Sequence, residues 1–186
     1  MVELLAPFRK LELGCGRKET EGYTRADGNP NVEADWHGDV SGPLPWGDGA
    51  FDEIRAVDVL EHISYWRTST VLAEWVRLLA PGGRLYVQVP DCRRIMAEFV
   101  ADPERWRERV PPELTELPPM VTVAWRILGG HDDGKFTHEG DDWRLNAHYA
   151  MFDVESLTWY LDRAGLVVDE MSSNFHPNLM VWAVKP

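Results

Sequence analysis

Residues 10–27, KLELGCGRKETEGYTRAD, limit the fold more than any other stretch. The run Lys10–Leu13 reads as a short buried strand and ends in two glycines, Gly14 and Gly16. A second strand-like run, Tyr23–Ala26, follows and ends in Asp27. A glycine loop placed directly after a strand lets the backbone approach a ligand closely. The loop from Gly16 to Tyr23 is too short for a full crossover helix, so it has room for about one helical turn.

The loop narrows the choice of ligand. The dinucleotide fingerprint GxGxxG needs a third glycine so that helix and strand can pack closely. Here Arg17, Lys18 and Glu19 follow Gly16, and that glycine is missing. Asp27 suits an adenosine, because one carboxylate can accept hydrogen bonds from both ribose hydroxyls. Glu12, just before the loop, would repel a pyrophosphate but favours a ligand carrying ammonium and sulfonium groups. The combination points away from NAD and toward S-adenosylmethionine.

Further along, strand and helix signals alternate, which is the mark of an α/β sheet. Phe51–Val57, Arg84–Val89, Leu166–Asp169 and Leu179–Val184 read as strands. Trp66–Leu79 carries one apolar stripe through Val71, Leu72, Trp75, Val76 and Leu79 and stops at Pro81-Gly82. Val154–Ala164 repeats the pattern, with Asp153 as N-cap and Gly165 just past the end. Shorter helices are expected at Ile95–Val100 and Met120–Leu128. Residues 91–150 break the rhythm with several prolines and the polar tract HDDGKFTHEGDD. This stretch reads as an insertion over the ligand edge of the sheet within one domain of residues 1–186. Its Trp- and Pro-rich part, Trp106–Trp125, suits either core burial or an interface.

Composition excludes some classes of partner. The 186 residues carry a net charge of −12, which disfavours a surface that tracks phosphates and so disfavours nucleic acid as the ligand. The two cysteines, Cys15 and Cys92, form no CxxC pair, so neither a zinc site nor a disulfide framework is signalled, and a reducing cytoplasmic setting is the simplest expectation. The N-terminus lacks the pattern of a signal peptide. No apolar run approaches the ~18 residues of a membrane span.

Five pieces together resemble the class I S-adenosylmethionine-dependent methyltransferases, and more closely a group of small predicted methyltransferases of bacteria and phages. They are LELGCG (11–16), EGYTRAD (21–27), GDVSGPLPWGDGAFDEI (38–54), VLEHI (59–63) and LAPGGRLYVQVPD (79–91). The resemblance implies a Rossmann-like, mostly parallel seven-stranded sheet with helices on both faces and an antiparallel last strand. It implies that Glu12, Gly14, Cys15 and Gly16 surround the methionine part of the cofactor. Asp27 would hold the ribose, Gly28 and Asn29 would border the adenosine, Asp39 and Val40 would meet the adenine edge, and Asp58 would lie near the methionine amine. Lys18 stands where the family has a small residue.

A sulfonium methyl is already a strong electrophile, so the chief task is to align the acceptor. A base helps when the acceptor is a hydroxyl, and histidine suits that role near neutral pH. His62 in LEHI and His148 in NAHYAMFD are the candidates, and Asp91 at the end of the fifth strand either holds an acceptor hydroxyl or caps the helix that begins near Arg93. The histidines and acids of 131–142 lack an organised ligand spacing and read as a lid, so no metal site is assigned. The expected acceptor is a small molecule or a glycan methylated on oxygen or nitrogen, the enzyme being a monomer or homodimer. A cofactor-binding module without catalysis, a protein methyltransferase and an NAD-dependent oxidoreductase are the rival readings.

Overall fold

The computed structural model describes residues 9–110, 112–129 and 143–186. The expected lid tract, 131–142, and the N-terminal eight residues lie outside the described residues. The strands are β1 (Lys10–Leu13), β2 (Thr24–Asp27), β3 (Trp36–His37), β4 (Phe51–Val57), β5 (Leu79–Pro90), β6 (Val167–Ser173) and β7 (Asn178–Val184). The helices are α1 (Thr68–Leu78), α2 (Cys92–Ala101), α3 (Pro119–Leu128) and α4 (Val154–Arg163). The strands form one seven-stranded sheet in the order β3-β2-β1-β4-β5-β7-β6. It is parallel from β3 to β5, and β7 runs antiparallel to both of its neighbours, as expected.

Strand alternation decides the core. Leu11, Ile54, Leu85 and Ala183 lie in one cross-strand row, and Leu13, Ala56, Val87 and Val181 in the next, all essentially without solvent exposure. On the same face α1 contributes Val71, Leu72, Trp75 and Leu78, and α4 contributes Leu157 and Leu161. Trp75 is fully buried and also donates its indole N–H to the Val40 carbonyl at 3.1 Å. Truncating such a residue to alanine costs about 3–5 kcal/mol.

The opposite face has a different chemistry. Its central row runs Arg25, Glu12, Arg55, Tyr86 and Trp182 across β2, β1, β4, β5 and β7. Glu12 pairs with Arg55 at 3.4 Å, and Glu53 in the adjacent row pairs with Arg84 at 2.6 Å and Lys10 at 3.7 Å. Helices cover the sheet unevenly. The first crossover, residues 14–23, has turns but no helix, not even the single turn expected, and the second, 28–35, has none either.

Several boundaries follow from local chemistry. Asp153 caps α4 in a reciprocal box: its carboxylate accepts from the Ser156 N–H at 2.8 Å while the Asp153 N–H donates to the Ser156 hydroxyl. β5 begins at Leu79 rather than at Arg84, because Ala80–Gly83 bulge out of the ladder between the pairs Phe51–Leu79 and Glu53–Arg84. α2 and α3 pack with Trp106 and Val110 in a second apolar cluster. Trp106 is buried there, which assigns that part of the proline-rich segment to core packing.

Candidate active site

The carboxyl ends of β1, β2 and β4 meet at the point where strand order reverses, the usual place for a ligand in an open α/β sheet. A cavity of about 750 Å³ opens there. It is lined by Gly14, Gly16, Asp27, Gly28, Asn29, Asp39, Val40 and Asp58, eight of the ten residues assigned to the cofactor from sequence.

The glycine loop works through its backbone. Gly14 and Gly16 adopt φ of 63° and 58°, in the left-handed region that glycine enters without strain. A Cβ on Gly14 would lie 2.4 Å from Val59 Cγ2, so the loop can approach the segment after β4 only because that atom is missing. A Cβ on Gly16 would meet nothing within 4 Å, which leaves its backbone open toward the cavity. The Cys15 N–H donates to the Ala26 carbonyl at 3.2 Å and the Gly16 N–H to Asp27 Oδ2 at 2.8 Å, tying the loop to β2.

Asp27 also accepts from the Asn29 N–H at 2.8 Å through Oδ1. Each carboxylate oxygen therefore has one bond to the protein and capacity for one more. Asp39 folds its turn by accepting from Ser41 N–H at 2.9 Å. Asp58 has φ of 53°, the only positive value at a non-glycine among the described residues. Its N–H donates to the Gln88 carbonyl at 2.9 Å, and its carboxylate accepts from Gln88 Nε2 at 3.2 Å. The following 3-10 turn, Leu60–His62, is capped at Val59 without a side-chain bond, so Asp58 does not serve as the helix cap. A strained backbone held at a cavity wall is a feature of ligand sites.

Four of the residues singled out in the sequence lie off the cavity lining. Glu12 does not line the cavity. Leu11 and Leu13 face the core, so alternation turns Glu12 to the other face, where Arg55 pairs with it. Cys15 contributes backbone only: its thiol is buried and points at the Glu33 carbonyl. Burial, with the nearby Asp27 carboxylate, raises that thiol to about 11, so it is protonated and inert at neutral pH. Asp91 is buried, caps α2 by accepting from the Arg94 N–H at 3.0 Å, and lies away from the cavity lining. His148 also lies outside the lining, but packs edge-on against His62 with ring centroids 4.8 Å apart.

His62 does line the cavity. Burial pushes its pKa below the ordinary value, partly opposed by the Ala147 carbonyl and the Asp58 carboxylate, so the ring is neutral at pH 7. Its neighbour Glu61 is fully buried, which raises its carboxyl well above the usual range, and the Asp58 carboxylate adds to the rise. Sequence reasoning missed Arg17, Ser41, Arg67, Arg144 and Tyr149 in the wall. Arg144 and Tyr149 belong to the insertion, which returns to the sheet through a parallel bridge between Asp91 and Phe152. Nothing local in the sequence signals that return. Trp46 packs edge-on against Trp36 and Phe51, partly buried against the core.

A family model described as a methyltransferase domain matches residues 4–171. The chain belongs to that methyltransferase family. S-adenosylmethionine is accordingly the cofactor of this methyltransferase, and the open glycine backbone, the acidic end of β2 and the cavity between them fit it. No curated protein matches the sequence. Among solved structures, a SAM-dependent methyltransferase of Thermotoga maritima aligns over 98% of this chain and 84% of its own, with a TM-score of 0.57 and 17% identity. One of Methanosarcina mazei covers 95% and 92%, with a TM-score of 0.57 and 16% identity. A methyltransferase solved in complex with the Trm112 activator of Haloferax volcanii covers 96% and 82%, with a TM-score of 0.58 and 16% identity. At these identities the likeness concerns the fold. No helix among the described residues is long and apolar enough to cross a membrane.

Proposed function

We propose that this methyltransferase acts on an oxygen or nitrogen of a small polar molecule or a glycan. The cofactor half of the reading rests on Asp27, whose carboxylate joins the Gly16 and Asn29 N–H groups at the cavity and retains acceptor capacity for the ribose hydroxyls of the cofactor. Gly14 and Gly16 bring the loop backbone against the methionine part, Gly28 and Asn29 border the adenosine, and Asp39 with Val40 meets the adenine edge. Asp58 lies on the methionine side. The cofactor supplies an electrophilic methyl group with a neutral leaving group.

The chain's own part is to orient the acceptor. Arg67, Arg144, Asn146 and Tyr149 put hydrogen-bonding groups on the wall beside His62, a lining suited to hydroxyls or carboxylates. The net charge of −12 disfavours polyanionic acceptors. Two free, buried cysteines suit a reducing cytoplasm. The chain is read as one domain, with residues 91–150 supplying the acceptor side. The test is release of S-adenosylhomocysteine from S-adenosylmethionine across a panel of sugars, polyols, phenols and amines. Turnover on a member of that panel supports the assignment. Turnover on protein substrates alone contradicts it.

A further inference from the structure

Glu61, His62 and His148 converge although the sequence separates the pair from His148 by more than eighty positions. One candidate ligand atom from each side chain lies within 4.8 Å of those of the other two. Ligands at about 2.0–2.2 Å from one ion lie within about 4.4 Å of each other, so small side-chain rotations close the remaining distance.

The backbone holds the three in place. The Glu61 carbonyl accepts from the Tyr149 N–H at 2.7 Å and the Ala150 N–H at 3.1 Å. The His148 N–H donates to the Leu128 carbonyl at 2.9 Å. The loop after β4, the end of α3 and the segment before α4 are thereby locked together.

Backbone carbonyls orient both imidazoles. His62 Nδ1 lies 3.1 Å from the Ala147 carbonyl, and His148 Nδ1 lies 3.1 Å from the Ile127 carbonyl. A carbonyl only accepts, so each of these two contacts favours the tautomer with the proton on Nδ1. Histidine ligands of metals are commonly oriented in this way, by an outer hydrogen bond from the second ring nitrogen.

The third member lacks a partner where one is expected. Glu61 is 1% exposed, and its Oε2 is buried with no hydrogen-bond partner among the described residues. Arg126, the cation nearest in effect, is engaged by the Asn178 side chain and the His176 carbonyl. A buried carboxylate oxygen without a donor is costly unless a cation or a proton compensates it.

We propose that Glu61, His62 and His148 form a binding site for a divalent transition-metal ion at the wall of the cavity. Two imidazoles and one carboxylate suit zinc, cobalt, manganese or iron better than calcium, and leave coordination positions for other ligands. His62 of the site and Tyr149, next to His148 in the chain, both line the cavity. The ion's role is to hold an oxygen of the acceptor. That role rests on the methyltransferase reading, whereas the binding of the ion does not.

The test is titration of Co2+ into the chelator-treated full chain, followed by calorimetry and by visible ligand-field absorption. One equivalent is expected to bind with cobalt–imidazole bands, and Zn2+ is expected to displace it. Glu61→Gln and His148→Ala should each weaken binding at least tenfold. His176→Ala, at an exposed histidine outside the cluster, should leave it unchanged. Asp27→Ala should lose affinity for S-adenosylhomocysteine and keep its cobalt site, which separates failure of one reading from failure of the other. Lack of stoichiometric binding by the wild type overturns the proposal, with Glu61 then a buried neutral acid. Undiminished binding in a folded His148→Ala variant, as judged by circular dichroism, overturns it equally.

Discussion

The Gly16 N–H donates to Asp27 Oδ2 at 2.8 Å. This contact joins the two features that stood out in the sequence, the glycine loop after β1 and the acid at the end of β2. They stand eleven positions apart in the chain, and without a crossover helix the loop depends on such bonds for its shape. The carboxylate that orders the loop is also the one facing the cavity, so loop order and cofactor binding are coupled through a single side chain.

The two glycines should respond differently to alanine. Both pay for a left-handed φ, roughly 1–2 kcal/mol. Gly14→Ala adds a Cβ 2.4 Å from Val59 Cγ2, whereas Gly16→Ala meets open space. Urea denaturation should rank the variants wild type, Gly16→Ala, Gly14→Ala in falling stability. The reverse order would contradict the packing described at Val59.

Acid should weaken the start of α4. Hydrogen bonds from the Ser156 hydroxyl and N–H, then Arg93, pull the Asp153 carboxyl down to about 2. A carboxyl depressed in the folded state stabilises it above the unfolded pKa of about 3.9 and loses that contribution as pH falls toward 2. Asp153→Asn keeps a capping oxygen but cannot ionise. The stability difference between wild type and Asp153→Asn should be constant above about pH 5 and shrink between pH 4 and 2. A difference independent of pH through that window would show that ionisation of Asp153 contributes nothing.

Cys15 should be chemically silent despite its place in the ligand loop. The thiol is buried and raised to about 11. Iodoacetamide at pH 7.5 should label it at least tenfold more slowly than in the urea-unfolded chain, as read by peptide mass spectrometry. Equal rates would mean that the loop opens freely.

Much of the scaffold was legible because its signals are local. The bounds of β1 and β4 come directly from apolar runs ended by glycine or aspartate, and α4 from its cap and stripe. The two-residue strand Trp36–His37 was not legible, since so short a ladder has no periodicity to read. The start of β5 was hidden because Pro81-Gly82-Gly83 also reads as a turn, and only the pairing of Leu79 with Phe51 shows the strand continuing through a bulge.

The site was legible in the same measure. Gly14, Gly16, Asp27 and Asp58 sit at strand ends, where sequence position and spatial position coincide. Glu12 stands off the cavity lining because alternation, which proximity to the loop in sequence does not reveal, turns it to the other face. Of the two roles open to Asp91, acceptor contact or helix cap, its bond from the Arg94 N–H shows the cap. The convergence of Glu61 and His62 with His148 depends on hydrogen bonds between distant segments, which no local pattern encodes.

The most direct measurement is calorimetric titration of S-adenosylhomocysteine into the wild type and into Asp27→Ala, with NADH as the control ligand. Hydrogen bonds to a charged group contribute about 1.5–3 kcal/mol, so removing the carboxylate should weaken binding roughly 10- to 150-fold. The expected result is stoichiometric binding to the wild type, that loss in the variant, and no heat from NADH. Equal affinity in a folded Asp27→Ala variant, or binding of NADH in preference, would contradict the cofactor site.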